Sequence, residues 1–326
     1  MTRRLTVREE RWPLASAFVI SRGAKTEAHV LVVEIAQGQA VGRGEAVPYA
    51  RYGEHMDKAL AQVAEAASAL EGGLARAELQ NLLPPGAARN AVDCALWDLE
   101  ARLDGRRAWE LAGRARLDPV KTCYTLSLDA PQVMAQAAAA ARRPFLKLKI
   151  GGPDDVDRVA AVRAAAPRTR LVVDANEALA FDELRRVAPV LARLDVKMIE
   201  QPLPAGEDAA LEGWASPVPL CADESLHTRG ELEVCARRYG AVNIKLDKTG
   251  GLTEALALAA AARARGLEIM AGCMVATSLS MAPAMIVAQG AAVVDLDGPL
   301  LLARDREPGL RYDGSLIYPP ERELWG

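Results

Sequence analysis

The sequence predicts an α/β protein: a parallel (β/α) barrel carrying an N-terminal α+β capping domain. Three observations lead there. Eight short apolar runs, each ending in polar residues, recur from about residue 118, and helix-like stretches separate them. The polar residues at successive run ends are one βα unit apart. Lys149, Asp174, Glu200, Asp223 and Lys245 follow at steps of 25, 26, 23 and 22 residues. An open doubly wound sheet shares this alternation, but eight similar units favour closure. In a closed barrel the strand C-terminal ends converge on one mouth, where the active site forms.

Residues 1–117 read as the cap. Alternating apolar residues over Ala28–Ile35 and Gly42–Ala46, with a turn at Gly38, predict antiparallel strands. Helical stretches follow at about 54–71, 74–81 and 88–104, the last stopping at Gly105. The barrel spans 118–298. Its eight runs are Thr122–Leu128, Phe145–Ile150, Leu171–Asp174, Val196–Glu200, Pro219–Asp223, Ala241–Leu246, Glu268–Gly272 and Ala292–Asp297. The segment after Gly152 has acidic residues in its first turn, as a helix start does. FDELRRVAPVLARL places Phe181, Leu184, Val187, Val190 and Leu191 on one stripe. Residues 299–326 have no strand to add to the barrel and are expected to fold back onto the cap.

Composition excludes several classes. The chain has 326 residues, 51% hydrophobic and 25% charged, with net charge −3. It lacks the basic runs of a nucleic-acid binder. The apolar stretch after Leu252 is broken by Arg263 and Arg265, so it reads as a helix of a soluble protein, not a membrane span. The N-terminus shows no apolar signal-peptide core. Five scattered cysteines without a C-x-x-C motif fit reduced thiols in a cytoplasmic protein. Cys123 or Cys273 as a nucleophile is disfavoured against a buried thiol. A homo-oligomer is compatible with all of this.

Side chains two apart on a strand share a face. Lys147 and Lys149 form one such pair, Asp174 and Asn176 another, Asp295 and Asp297 a third. Two buried lysines need anions, and Asp174, Glu200 and Asp223 stand at the ends of the next three strands. Three carboxylates make an all-oxygen site, which suits Mg²⁺. Zinc would call for His or Cys, and His29, His55 and His227 lack ligand spacing. Lys149 on the second strand and Lys245 on the sixth face each other across the mouth. A cation-bound carboxylate acidifies its α-carbon, and two opposed bases can remove and return that proton. Free lysine titrates at about 10.4, so a lysine base needs neighbouring positive charge to come into working range.

The strings KLKI (Lys147, Lys149), VVDAN (Asp174, Asn176), IEQP (Glu200), ADES (Asp223) and NIKLDKTGG (Lys245) resemble the enolase superfamily, in its muconate-lactonizing-enzyme subgroup. The resemblance spans the chain and implies the enolase type of modified TIM barrel. It also implies one Mg²⁺ on Asp174, Glu200 and Asp223, with Lys149 and Lys245 as acid/base pair and Lys147 stabilising the enolate. A lysine or histidine base with Mg²⁺ is known chemistry of this superfamily. The branch with a histidine on strand seven is disfavoured, because GCMVATS has none there.

The string DLDGP resembles that of dipeptide epimerases, where two aspartates hold the substrate's ammonium. Asp295 and Asp297 are therefore expected to bind the amine of a dipeptide. Arg22, in the cap segment Phe18–Glu27 expected to close the mouth as a loop, is similar to the arginine that meets a glutamate side chain. Arg51 and Lys25 are rivals for that contact. Lys248, by strand parity, should face away from Lys245. The expected activity is epimerisation of a dipeptide, with L-Ala-D/L-Glu of cell-wall peptide metabolism as substrate. The alternatives are an N-acylamino-acid racemase or an o-succinylbenzoate synthase of the same subgroup. A non-catalytic binding barrel would not need two opposed lysines.

Overall fold

In the computed structural model, residues 3–326 are described. The cap rests on an antiparallel sheet of β1 (Arg3–Ile20), β2 (Gly23–Gln37) and β3 (Ala40–Ala46). Alternation splits β2 between two cores. Leu31, Val33 and Ile35 pack under α1 (Met56–Glu65), α2 (Ala67–Glu71), α3 (Arg76–Leu82) and α4 (Ala87–Asp104), while Val30 and Val32 join the core shared with the barrel. Helix α4 lies directly on β3 because glycine permits it. A Cβ on Gly44 would stand 2.0 Å from the Ala91 carbonyl oxygen, and one on Gly42 2.1 Å from that of Ala95. Gly105, with φ 66°, ends α4 as expected. A short α5 (Ala108–Leu111) follows, then β4 (Val120–Lys121).

Eight parallel strands come next: β5 (Tyr124–Leu126), β6 (Phe145–Lys149), β7 (Arg170–Asp174), β8 (Val196–Glu200), β9 (Leu220–Ala222), β10 (Ala241–Ile244), β11 (Glu268–Ala271) and β12 (Val293–Val294). Their spatial order is the chain order. A doubly wound sheet would reverse direction at a switch point, and this one does not. Its two edges meet where the Cys123 N–H donates to the Val294 carbonyl at 2.8 Å. The connecting helices are α6 (Pro131–Ala141), α7 (Val156–Ala165), α8 (Phe181–Arg193), α9 (Leu232–Arg238), α10 (Leu246–Thr249), α11 (Leu252–Ala264) and α12 (Ser278–Ala288). No helix is long and apolar enough to cross a membrane among the described residues.

The pleat sorts each strand between two environments. Leu146, Leu148, Val173, Ile199, Val242 and Ile244 face the helices. Cys123, Phe145, Val172, Met198, Cys221, Ala241, Met270 and Val293 form a separate cluster inside the curl. That cluster is an apolar floor. Two residues further along, the same inward parity carries polar groups on every strand but β11, where it reaches Gly272.

The chain differs from expectation in three places. β1 was not anticipated, because none of its residues is fully buried and its sequence carries little hydrophobic signal. The segment Phe18–Glu27 is the tip of the β1–β2 hairpin, not a loop, with Phe18 paired to Lys25 and Ile20 to Gly23 after an irregularity between Pro13 and Phe18. The last barrel strand ends at Val294, so Asp295 and Asp297 lie just beyond it. The tail reaches α4: the Trp325 indole donates to the Cys94 carbonyl at 3.1 Å, and Gly326 N donates to Asp98 at 2.8 Å. On the way, β13 (Tyr312–Asp313) pairs with β14 (Leu316–Ile317), which pairs with β4.

Candidate active site

A cavity of about 730 Å³ opens at the strand C-terminal ends, beneath the cap. Lys147, Lys149, Asn176, Asp223, Glu224, Lys245, Asp295 and Asp297 line it, and the cap supplies Arg22, Lys25, Tyr49, Arg51 and Tyr52.

Strand register brings the charged groups together. Lys149 pairs with Asp174 across β6 and β7, and Asp174 with Glu200 across β7 and β8. Lys147 is 2% exposed, with its Nζ 2.6 Å from Glu200, 2.7 Å from Asp295 and 3.1 Å from Asp174. Lys149 donates to Asp174 Oδ2 at 2.6 Å and to Asn176 Oδ1 at 3.1 Å. Lys245 donates to Asp223 Oδ2 at 2.6 Å. Asn243 donates to Glu200 Oε1 at 2.7 Å. That amide fits because residue 272 is glycine, where a Cβ would stand 2.4 Å from Asn243 Oδ1.

The parity argument failed for Lys248. The chain turns into α10 right after Lys245, and three residues along a helical turn bring a side chain back to the same side. Lys248 Nζ therefore reaches Asp223 Oδ1 at 2.6 Å and the carbonyls of Asp223 and Asn243.

Burial raises the free energy of every charge here, and the neighbours decide which charges survive. The Lys147 ammonium, desolvated but facing Asp295, Glu200 and Asp174, titrates well above an ordinary lysine. Lys245 does the same against Asp223 and Glu200. Burial opposes ionisation of Asp223, yet Lys245 and Lys248 hold it well below the usual range. Glu200 goes the other way: burial, then repulsion from Asp174, pushes it up to about 8. Its Oε2 is close to Lys147, but no donor is aligned on it.

These residues fit a hard divalent cation by donor chemistry: three buried carboxylates on adjacent strand ends, one of them destabilised by its anionic neighbours. In this structure the lysines hold those carboxylates. Among the described residues no three His, Cys, Asp or Glu side chains stand in a metal-binding arrangement.

Asp295 and Asp297 both line the cavity but are not equivalent. Asp295 is ion-paired to Lys147 and accepts from the Cys123 thiol at 3.2 Å. Asp297 accepts the Thr125 N–H at 2.6 Å and makes no ion pair among the described residues. Burial and the charge on Asp295 push Asp297 up to about 7. Burial also pushes the Cys123 and Cys273 thiols well up, which disfavours the thiolate a nucleophile needs.

Arg22 reaches the mouth but is already engaged. It donates to the Asn176 carbonyl (2.9 Å), Glu177 (3.2 Å), the Tyr49 hydroxyl (3.1 Å) and Glu224 (2.9 Å). Arg51 is held by Glu177, whereas Lys25 stands over the Tyr49 ring at 4.9 Å. Glu177 and Glu224 were missed from the sequence. The signal for Glu224 was its place in ADES, beside a predicted ligand; for Glu177 there was none.

Two family models cover most of the chain. "Mandelate racemase / muconate lactonizing enzyme, N-terminal domain" matches residues 2–113, and "Enolase C-terminal domain-like" matches 132–322. An L-Ala-D/L-Glu epimerase of Escherichia coli is 47% identical over 95% of this chain and 98% of its own. An N-acetyl-D-glutamate racemase of a Pseudoalteromonas species is 44% identical over 91% and 95%. A crystal structure from Agrobacterium tumefaciens, described as an enolase family member with homology to dipeptide epimerases and holding sodium and L-Ala-L-Glu, superposes with a TM-score of 0.97. It is 52% identical over 99% of this chain and 100% of that one. Solved dipeptide epimerases of the same fold carry Mg beside a dipeptide. With one model matching its N-terminal part and another the barrel, this chain belongs to the enolase superfamily, in its mandelate racemase/muconate lactonizing enzyme group.

Proposed function

We propose that the protein is an isomerase that epimerises a dipeptide, L-Ala-D/L-Glu or a close analogue, by moving the α-proton between the two faces of one carbon. The observation that carries this reading is the opposition of Lys149 and Lys245. Lys149 ends β6 and Lys245 directly follows β10, four strands apart in an eight-strand curl, with the carboxylates of Asp174, Glu200 and Asp223 between them. Mg²⁺ suits that donor set, with Asp174, Glu200 and Asp223 as the residues to hold it. When bound, it supplies positive charge where the substrate carboxylate becomes electron-rich.

The chain's own groups do the rest. One lysine takes the proton from its face, and the other, protonated, gives one back from the opposite face. Asp223 and Glu200 keep Lys245 protonated, so it yields its proton only when those carboxylates are otherwise engaged. Lys147, deep in the carboxylate cluster, stays charged and stabilises the enolate. Asn176 orients Lys149. Asp297, which makes no ion pair among the described residues, and Asp295 receive the substrate's ammonium, and Arg22 meets an acidic side chain by exchanging Glu224 or Glu177 for it. Handling of cell-wall peptides in the cytoplasm fits this substrate.

A specific observation favours a second reading, an N-acylamino-acid racemase. Asp295 is already occupied by Lys147, and the relative at 44% identity is named for an N-acetylated glutamate. The two readings separate in deuterium oxide. L-Ala-L-Glu and L-Ala-D-Glu should lose the α-proton NMR signal of the glutamyl residue and interconvert, faster than N-acetylglutamate does. A native preference for the acylated substrate would overturn the dipeptide assignment.

A further inference from the structure

We propose that Glu177 is a positioning residue that clamps both cap segments over the mouth and sets them in register with Lys149. Asn176 and Glu177, which leave β7, have left-handed backbones, with φ of 44° and 70°. Such conformations are unfavourable for residues other than glycine and persist where surrounding contacts enforce them.

Those contacts converge on one carboxylate. Glu177 Oε1 accepts from Arg51 Nη2 at 2.6 Å and from Ala205 N at 2.8 Å. Its Oε2 accepts from Arg51 Nε at 2.8 Å and from Arg22 Nη1 at 3.2 Å. Arg22 comes from the β1–β2 tip, Arg51 from the turn Ala50–Tyr52, and Ala205 from the loop after β8. Four segments of chain thus meet on one side chain that is only 8% exposed. The adjacent Asn176 continues the link on both sides. Its carbonyl accepts from Arg22 at 2.9 Å, and its side chain accepts from Lys149 at 3.1 Å.

Residues 21–27 of the hairpin tip are exposed, so its hold on the mouth runs through Arg22, which also meets Glu224, the Tyr49 hydroxyl and the Asn176 carbonyl. Arg51 is itself 39% exposed, and a surface ion pair of that kind is weak in isolation. Four bonds on the one carboxylate change the balance, since a bidentate pair within a charge network holds better than an isolated one. Lifting the cap breaks the fork with Arg51 and the bond from Arg22 together and leaves the carboxylate with one backbone donor and water, so the bonds are lost as a set. The bidentate fork with Arg51 also fixes direction as well as distance. The clamp therefore favours a closed cap before substrate arrives.

The kinetic arm of the test rests on the dipeptide reading; the hydrogen-exchange arm does not. In the free protein, amides of 18–27 and 49–53 should exchange about tenfold faster in Glu177→Ala than in the native chain, while those of α4 stay unchanged. With L-Ala-L-Glu, Glu177→Gln should raise KM about tenfold and leave kcat within about threefold, because closure then has to be driven by binding. Arg51→Gln should do the same, and the double variant should add nothing further. Unchanged exchange at the cap tips, additive effects of the two substitutions, or a fall in kcat at constant KM would each overturn the clamp. If the native protein turns over no dipeptide, the dipeptide reading fails and the exchange experiment alone decides the role of Glu177.

Discussion

At the scale of single residues, chemistry here follows from which charge each buried group faces. Lys149 and Lys245 sit on opposite sides of the cavity, so each serves one face of a carbon held between them. Lys245→Ala should abolish epimerisation, about 10²–10⁴-fold or more, yet leave α-proton exchange on one epimer; Lys149→Ala should leave it on the other. Interconversion at near-native rate in either variant would remove the two-base assignment. Asp297 supplies a pH test. Its carboxyl is raised to about 7 by burial and by Asp295, so it is neutral below that pH and anionic above it. KM for a free-amine dipeptide should rise as pH falls through about 7, whereas KM for an N-acetylated analogue should stay flat. Matching profiles for the two substrates would show that Asp297 does not hold the amine. Lys147, Lys149, Asp174, Glu200 and Asp223 were all legible in the sequence, because strand parity and unit spacing set them. Lys248 was not, because parity stops where the helix begins.

At the scale of elements, the contact of β3 with α4 is the tightest seam in the cap. Glycines at 42 and 44 allow backbone to meet backbone, and nothing flexible can move aside: the obstructing atoms are α4 carbonyl oxygens. Gly44→Ala should therefore cost about 1–3 kcal/mol, read as a lower urea midpoint with an unchanged slope. Gly240 is the matched control, since a Cβ there meets nothing within 4 Å and its backbone needs no left-handed turn. Equal midpoints for Gly44→Ala and Gly240→Ala would show that the seam relaxes freely. Helix α8 was easy to read because its apolar stripe, Leu184, Val187 and Leu191, faces one core. β1 was hard to read for the opposite reason: it is pinned by pairing to β2, and its side chains are at most half-buried.

At the scale of the whole molecule, the carboxylate cluster is the place where stability and activity meet. Among Asp174, Glu200 and Asp223 the lysines favour the first and last as anions, while burial and repulsion from Asp174 push Glu200 up to about 8. A ligand that binds only the folded cluster stabilises the fold by mass action. Mg²⁺ at about 100 times its Kd should add about 2.7 kcal/mol to unfolding, and chelation should abolish exchange until Mg²⁺ is restored. Full turnover after chelation, or an unfolding midpoint indifferent to Mg²⁺, would remove the metal assignment. The sequence by itself determined the eight-fold alternation, the inward parity and the spacing of the charged strand ends. These are local, set by the pleat and by one βα unit at a time. Only the tertiary structure decided which charged groups are free and which are taken: Asp295 by Lys147, Asp223 by Lys248, Arg22 and Arg51 by Glu177. Those pairings join residues from about 25 to about 150 positions apart. They depend on where the curl and the cap bring side chains together, which no local pattern encodes.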